Sequence, residues 1–406
     1  MSADVRPLRV QINADEAGTV NVQPIDAQQL LAFEQSLAAA KSRLDAPYER
    51  AARDRTFARK WRERTEAADT FRALKRIVAQ RYGAKCVSNA WLKYAEILRD
   101  FLPTIVTDTV NETKRICAVF NAELPGAALC ATDHILSTRR IALDWRASSY
   151  VGGDGSDTTA LGDTFGLLRN NKSKWLMSSS ANSSSPPYTG DMTSVEQIHE
   201  FVRRVTQWGK TATLYSHDAG VDASSDYNNQ ETLNAQLHLG CAIAGLEVLA
   251  AGGLFIAKQY TAFKPLTRGL IVLYSQLFAE FYLYKPVTSR AANSEVYLIG
   301  VKYIGAKAAA RTIVRLYSLM ARIAPLGPEE RVLVDPLDDT ADQKSLNRLD
   351  SYIVQSVQAQ LAALDLLTGD RAIEPPPRQL LDAWLDSCAL RPRTSGTRSS
   401  VKTGRR

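Results

Sequence analysis

The chain has 406 residues, 45% of them apolar, which allows one large domain with additions or two modest ones. No apolar run approaches the roughly 20 residues of a membrane-spanning helix, and the N-terminal stretch lacks the apolar core of a secretory leader, so a cytoplasmic protein is expected. Net charge is +7, and the five cysteines (Cys86, Cys117, Cys130, Cys241, Cys388) stand singly without CxxC spacing, which predicts reduced thiols and no structural metal site.

Residues 1–25 read as a short strand-turn piece or an arm. From Ala27 to about Ala79, Ala, Leu, Arg and Glu with spaced apolar positions predict helices. Within this region "RAARDRTFARKWRERTEAADTFRALKRIVAQR" is strongly basic, which favours a polyanionic partner or a solvated helix face. "NAWLKYAEILRDF" is a further helix, ended near Pro103. "KRICAVFNAELPGAAL" then reads as a buried strand, a Pro-Gly turn and a helix, and "RRIALDW" as a second strand closed by an acid, Asp144.

Residues 146–194 are rich in Gly, Ser and Pro and read largely as loop, of a length more often functional than idle. "SVEQIHEFVRRVTQ" is an amphipathic helix, and "TATLYSHDAG" a third strand ending at Asp218. After an apolar helix, "AGGLFIAKQY" reads as a Gly-Gly turn opening into a fourth strand with Lys258 at its end. A helix and the strands "AEFYLYKP" and "EVYLIGVKYIG" follow, joined by a link too short for a helical crossover and so antiparallel. From Ala308 to Leu390 the pattern is helical, and the last sixteen residues, with six Lys or Arg and no acid, read as a disordered basic tail.

Strands alternating with helices of this length predict an α/β fold with a mostly parallel, doubly wound sheet and an antiparallel last strand. In such sheets ligands bind beyond the carboxyl ends of the strands, where the strand order reverses. The polar residues predicted there are Glu123 with Pro125 and Gly126, Asp144, Asp218 and Lys258. Glu295, at the start of a strand running backwards, falls on the same edge. Lysine beside acid at such an edge is as consistent with a structural ion pair as with catalysis.

These segments, in this order, resemble the FtsJ/RrmJ-type RNA ribose 2'-O-methyltransferases, including cap-directed members. "VFNAELPGAAL" looks like the family's turn for S-adenosylmethionine (SAM), "YTGDMTSVEQIHEFV" like its adenine-contacting Gly-Asp segment at Asp191, and "LYSHDAG" like its Asp-bearing strand end. "LEVLAAGGLFIAKQY" resembles its Gly-Gly-strand-Lys, and "YLYKPVTSRAANSEVYLIG" its Lys-Pro, Ser-Arg, Ser-Glu ending. "NAWLKYAEI" is similar to its Lys-x-x-Glu helix, which places the first lysine at Lys93. The family's Ala-Pro-Gly-Gly is Leu124-Pro125-Gly126-Ala127 here, and its usual aspartate at the SAM strand falls at Phe120 or Asn121.

The resemblance implies a Rossmann-like SAM-dependent methyltransferase sheet at residues 85–305. It would be flanked by a helical, basic extension (1–84), a helical region (306–390) and the tail (391–406). It implies a catalytic Lys93-Asp218-Lys258-Glu295 tetrad with Lys258 as base or orienting group. The cofactor SAM would be held by Glu123, Pro125, Gly126, Asp144, Asp191 and Asp218, with no metal. Lys93 would lower the pKa of Lys258, since two ammonium groups disfavour each other. RNA, capped mRNA foremost, is the implied partner; ribosomal or transfer RNA, or a non-catalytic RNA-binding subunit, is the alternative. The insert from Arg146 to Tyr188 resembles the larger viral and eukaryotic cap enzymes, which implies a cytoplasmic, nuclear or virion setting. The helical extensions offer a possible surface for a protein partner. Trp91, Trp145, Trp175 and Tyr188 are candidates for stacking on a methylated guanine, although aromatic residues are more often core.

Overall fold

A computed structural model describes residues 6–14, 24–150, 162–176, 188–221, 228–337, 342–374, 376–392 and 399–404. Seven strands form one sheet: β1 (Leu8–Gln11), β2 (Arg115–Asn121), β3 (Ala142–Ala147), β4 (Ala212–His217), β5 (Leu249–Gln259), β6 (Phe278–Lys285) and β7 (Val296–Tyr303). Their order is β1-β6-β7-β5-β4-β2-β3. β2 to β5 run parallel, while β7 pairs antiparallel with both β5 and β6. The antiparallel strand is therefore inserted inside the sheet, and β1 closes the edge against β6. No helix among the described residues is long and apolar enough to cross a membrane.

Apolar residues cover both faces of the sheet, as expected where helices pack on each side. One core joins Val119, Tyr215, Phe255 and Leu283 to the helices Val195–Gln207, Gln230–Val248, Ala310–Ile323 and Gln343–Thr368. The other joins Phe120, Ile256 and Ile299 to the helices Asn89–Phe101, Ala127–Thr138 and Arg378–Ser387. The helical ends of the chain thus complete the burial of the central sheet.

The Gly-Gly pair before Lys258 has a different role from the one predicted. β5 already begins at Leu249, and its register against β4 shifts between Ala212 and Leu214. Gly252 sits at φ +78 there. Gly252 therefore serves an irregularity inside a long strand, where positive φ is cheap only without a Cβ, and not a turn that precedes it. Part of the basic N-terminal stretch is structural as well. The Arg64 guanidinium donates to Leu367 O and Leu366 O at 2.6 Å and to Arg371 O at 2.8 Å, satisfying carbonyls at the end of the helix Gln343–Thr368.

The Gly/Ser/Pro-rich region lies partly outside the described residues, at 151–161 and 177–187. Between them the short helix Leu167–Asn170 packs into the core and Trp175 bridges to Ala147. Of the predicted disordered tail, 393–398 and 405–406 also lie outside. Residues 399–404 are packed: Asp133 accepts from Ser400 N (2.9 Å) and Ser399 Oγ (2.7 Å), and Val401 is buried. The serines between the basic residues supply these donors, a specific pairing that composition does not express.

Candidate active site

The strand order reverses between β2 and β4, so the crevice opens beyond Asn121 and His217. Asp218 is the first residue past β4, and its N–H reaches back to Asn121 O at 3.4 Å. Lys258 is the penultimate residue of β5, and its Nζ lies 3.4 Å from Asp218 Oδ1 and donates to Asp218 O at 2.9 Å. Glu295 immediately precedes the antiparallel β7 and pairs with Lys93 of the helix Asn89–Phe101. Ser88 caps that helix, its Oγ accepting from Trp91 N at 3.2 Å, which fixes the turn carrying Lys93. The side chains of Lys93 and Lys258 are 9% and 12% exposed, so both cations are largely desolvated and each faces a carboxylate.

Burial alone would lower the Lys258 ammonium, but Asp218, Tyr260 and Glu295 outweigh it and hold the group above its ordinary value. The depression expected from Lys93 is absent because Glu295 neutralises that lysine at close range. Burial pushes the Asp218 carboxyl up, against the pull of Lys258. Burial also opposes ionisation of Glu295, yet Lys93, Lys258 and Lys285 overcome it and hold this carboxyl at about 2.

Beside these groups lies the turn after β2. Glu123 is buried, and its Oε1 accepts from Leu129 N at 2.8 Å in the first turn of the helix Ala127–Thr138. Among the described residues its Oε2 has no hydrogen-bond partner, and burial raises the carboxyl's pKa well above the usual range. The Leu124–Pro125 peptide is cis, and Gly126 sits at φ +109. A Cβ on Gly126 would stand 1.8 Å from Leu167 Cδ1. Gly126→Ala is therefore expected to cost about 2–3 kcal/mol of stability and to weaken cofactor binding, measured by urea unfolding and by calorimetric titration.

Residues 173–303 match the model of the FtsJ-like methyltransferase family. The matched segment contains Asp218, Lys258 and Glu295, while Lys93 and the Glu123–Gly126 turn lie before it. It is similar to the probable methyltransferase EP424R of African swine fever virus (isolate Pig/Kenya/KEN-50/1950), 37% identical over 57% of this chain and 53% of that protein. It is also similar to the uncharacterized protein L511 of Acanthamoeba polyphaga mimivirus, 29% identical over 60% of this chain and 30% of that protein. The zebrafish (Danio rerio) cap-specific mRNA (nucleoside-2'-O-)-methyltransferase 2 is 28% identical over 54% of this chain and 29% of that protein. The chain thus spans about half the length of the swine fever virus relative, and less of the others.

Lys93, Asp218, Lys258 and Glu295 come together at the carboxyl edge, with Glu123, Pro125 and Gly126 in the adjoining turn. Asp191 lies near this edge in the loop before the helix Val195–Gln207, its Oδ1 accepting from Thr193 N at 2.9 Å. Tyr188 ties that loop to the end of β3 through Ser148 Oγ at 2.7 Å.

Asp144 is elsewhere. β3 continues three residues beyond it, and its carboxylate pairs with Lys210 and, at 3.0 Å, with Arg115. Those cations flank the starts of β4 and β2, so Asp144 serves the opposite end of the sheet and not the ligand edge. The stacking candidates are also spent on packing: Trp91, Trp145, Trp175 and Tyr188 are all buried, with Trp145 edge-on to Trp175 at 6.1 Å.

Two residues that hold the site were missed. Glu96, one turn after Lys93 and completely buried, accepts from Val287 N at 2.8 Å and Thr288 Oγ1 at 3.0 Å. Lys285 donates to Asn293 O and Glu295 O, both at 2.7 Å, and burial pushes its ammonium down to about 7 against the pull of Glu295. Together they pin both ends of the 286–295 segment that delivers Glu295. The Lys-x-x-Glu spacing was the available signal for Glu96, since residues three apart share a helix face.

The depressed Glu295 carboxyl makes a pH prediction. A pKa of about 2 in the fold against an ordinary 4.5 adds stability that is complete above 4.5 and lost as pH falls toward 2. Glu295→Gln removes this contribution. The gap in urea midpoint between wild type and variant should narrow as pH drops from about 6 to about 3. A constant gap would contradict the assignment.

Proposed function

We propose that the chain transfers a methyl group from SAM to the 2'-hydroxyl of an RNA ribose, with the cap-proximal nucleotide of mRNA as acceptor. The observation that carries this reading is the convergence of the Lys93–Glu295 and Lys258–Asp218 pairs beside the Glu123–Gly126 turn. The residues at that turn fit a cationic cofactor: the buried Glu123 Oε2 has no hydrogen-bond partner among the described residues. Glu123, Pro125, Gly126 and Asp191 would hold SAM, which supplies an electrophilic methyl on a sulfonium.

The chain's own work is to align the ribose hydroxyl and manage its proton, because positioning removes a large part of such a barrier. Lys258 starts as an ammonium and orients the hydroxyl oxygen. As the new O–CH₃ bond forms and acidifies the hydroxyl, its proton passes to Lys258 Nζ in concert with one ammonium proton moving to Asp218, so no free amine has to form against the pull of Asp218. Charge balances: the sulfonium charge disappears, Lys258 ends as it began and Asp218 is neutral. Lys93 and Glu295 keep the rim near neutrality throughout.

Similarity to the cap-specific zebrafish enzyme favours the cap-proximal acceptor over ribosomal or transfer RNA. The test is calorimetric titration with SAM followed by radiolabel transfer to capped and uncapped forms of one RNA. Transfer restricted to capped RNA, in a 2'-O-methyl product, is expected. SAM binding without transfer to any RNA would overturn the assignment.

A further inference from the structure

Past the end of β4 the sheet holds the chain only loosely. Asp218 N–H meets Asn121 O at 3.4 Å, and its carboxylate lies 3.4 Å from Lys258 Nζ and 3.5 Å from Tyr297 Oη, all longer than a well-formed hydrogen bond. Lys258 donates most closely to the backbone at this point, to Asp218 O at 2.9 Å. The alignment of carboxylate and ammonium is therefore set by the backbones that carry them. The helix Gln230–Val248 holds the first of these. Asn234 Oδ1 accepts from Val221 N at 2.8 Å, and one turn on, on the same helix face, His238 Nε2 lies 3.1 Å from Ala219 O.

The same imidazole reaches the end of β5. Its Nδ1 lies 2.8 Å from Gln259 Oε1, and its ring stacks on Tyr260 at 5.8 Å and 15°. Lys258 and Tyr260, two apart along an extended chain, share a face, and Lys258 Nζ sits 5.8 Å from the centre of the Tyr260 ring. The two backbones also touch here: a Cβ on Gly220 would stand 2.9 Å from Tyr260 Oη and 3.1 Å from Lys258 Nζ. His238, 6% exposed, is wedged between the segment that carries Asp218 and the one that carries Lys258. Both oxygens at its nitrogens only accept, Gln259 Oε1 being fixed as an acceptor by the Tyr260 N–H it receives at 2.9 Å. The titratable groups facing the ring are His217 at 5.7 Å, Lys258 and Tyr260. Burial first, then Lys258, pushes the ring down to about 4, so at neutral pH it carries one N–H, which bonds one oxygen while the ring packs against the other.

We propose that His238 is a positioning residue for methyl transfer: bracing Ala219 against Gln259 and Tyr260, it fixes Asp218 opposite Lys258. The consequence rests on the methyltransferase reading, but the bracing itself is tested without turnover.

The experiment uses the full chain carrying His238→Leu, which fills much of the space without an N–H, or His238→Gln, whose amide still donates toward Ala219 O. Single-turnover transfer at saturating SAM and RNA is expected to fall about 10–10²-fold in His238→Leu, the scale of a misplaced reacting group, with SAM and RNA affinities unchanged. His238→Gln should recover most of the rate. The second readout is the Asp218 carboxyl titration, followed by carbon-13 NMR and assigned by its loss in Asp218→Asn. Lys258 pulls this carboxyl down, so slackening the pair in His238→Leu moves the titration up, by about half a unit. The other groups facing Asp218 are Glu295 and Tyr297 at β7, Lys93 and Tyr94 on the helix Asn89–Phe101, Glu123 and Tyr260. All but Tyr260 sit on elements apart from the brace, so the shift reports Lys258.

An Asp218 titration that does not move in His238→Leu overturns the proposal, whatever the rate of transfer. So does a His238→Gln protein as slow as the leucine variant, because the loss would then follow packing and not the N–H. Should leucine unfold the chain, seen in urea, His238→Asn takes the same measurements, since its amide stops short of Ala219 O. A wild-type chain that transfers no methyl group while the titration moves as expected refutes the methyltransferase reading alone; wild-type transfer in every His238 variant refutes the positioning role alone.

Discussion

Lys258→Ala is expected to lower methyl transfer to RNA by about 10²–10⁴-fold, the range for loss of a positioned proton-transfer group, with SAM affinity nearly unchanged. The separation follows from geometry. Lys258 Nζ is held over Asp218, while the groups facing the cofactor turn are Glu123 and Gly126 on the other side of the β2–β4 switch. Lys258→Arg sharpens the test. It keeps the positive charge, but its planar guanidinium does not release a proton near neutrality and projects farther, so it should rescue folding and leave transfer low. Transfer at the wild-type rate by the alanine variant would remove Lys258 from the reaction. A parallel loss of SAM binding would recast it as part of the cofactor site.

This pairing also explains how much of the site could be read in advance. Asp218, Lys258 and Glu295 each adjoin a strand end, so alternation of strands and helices was enough to put them on one edge. Lys93 came only through the resemblance, because a lysine within a helix carries no mark of which strand end it will meet. The protonation state of Lys258 was misjudged for a related reason. It depends on which carboxylate each lysine faces, and spacing cannot tell that Glu295 would take Lys93 and leave Asp218 to Lys258. Asp144 was misplaced because the strand "RRIALDW" was ended at its only acid. The buried Trp145 and Ala147 continue the alternation beyond it and carry the strand to the edge.

The sheet itself was legible up to its order. Hydrophobic runs gave the parallel strands and the short link gave the antiparallel pair. Insertion of β7 between β5 and β6 depends on pairings distant in sequence, and no local pattern encodes it. The bulge at Gly252 looked like a turn because glycine marks positive φ in both settings. The link from Gln360 to the 286–295 segment was beyond reach for the same reason as β7: it joins residues 68 positions apart in sequence.

Glu96→Ala is the substitution expected to cost the most stability, about 3–5 kcal/mol. The carboxylate is completely buried and accepts from Val287 N, Thr288 N and Thr288 Oγ1 at 2.8–3.3 Å, with Trp384 Nε1 at 3.4 Å. Burial raises its pKa, and the donors from Val287 and Thr288 with nearby Arg99 work against that rise, so the acceptor-only form is matched by its surroundings. Alanine would strand these donors without water, at roughly 1–3 kcal/mol for each unsatisfied group, and the sum is tempered because neighbouring losses do not add. The damage would not stay local. Val287 and Thr288 open the segment that ends at Glu295, so a loosened start lets Glu295 drift from Lys93 and leaves a desolvated lysine uncompensated. Glu96→Gln, which keeps the shape but only one acceptor oxygen, should therefore lose less stability than alanine yet still lose methyl transfer at saturating SAM. High salt should not mimic either variant, since buried interactions are screened far less than exposed ones. Urea unfolding and single-turnover transfer separate the two effects; a Glu96→Gln protein with wild-type transfer would mean that the 286–295 segment holds Glu295 without help from the Lys93 helix.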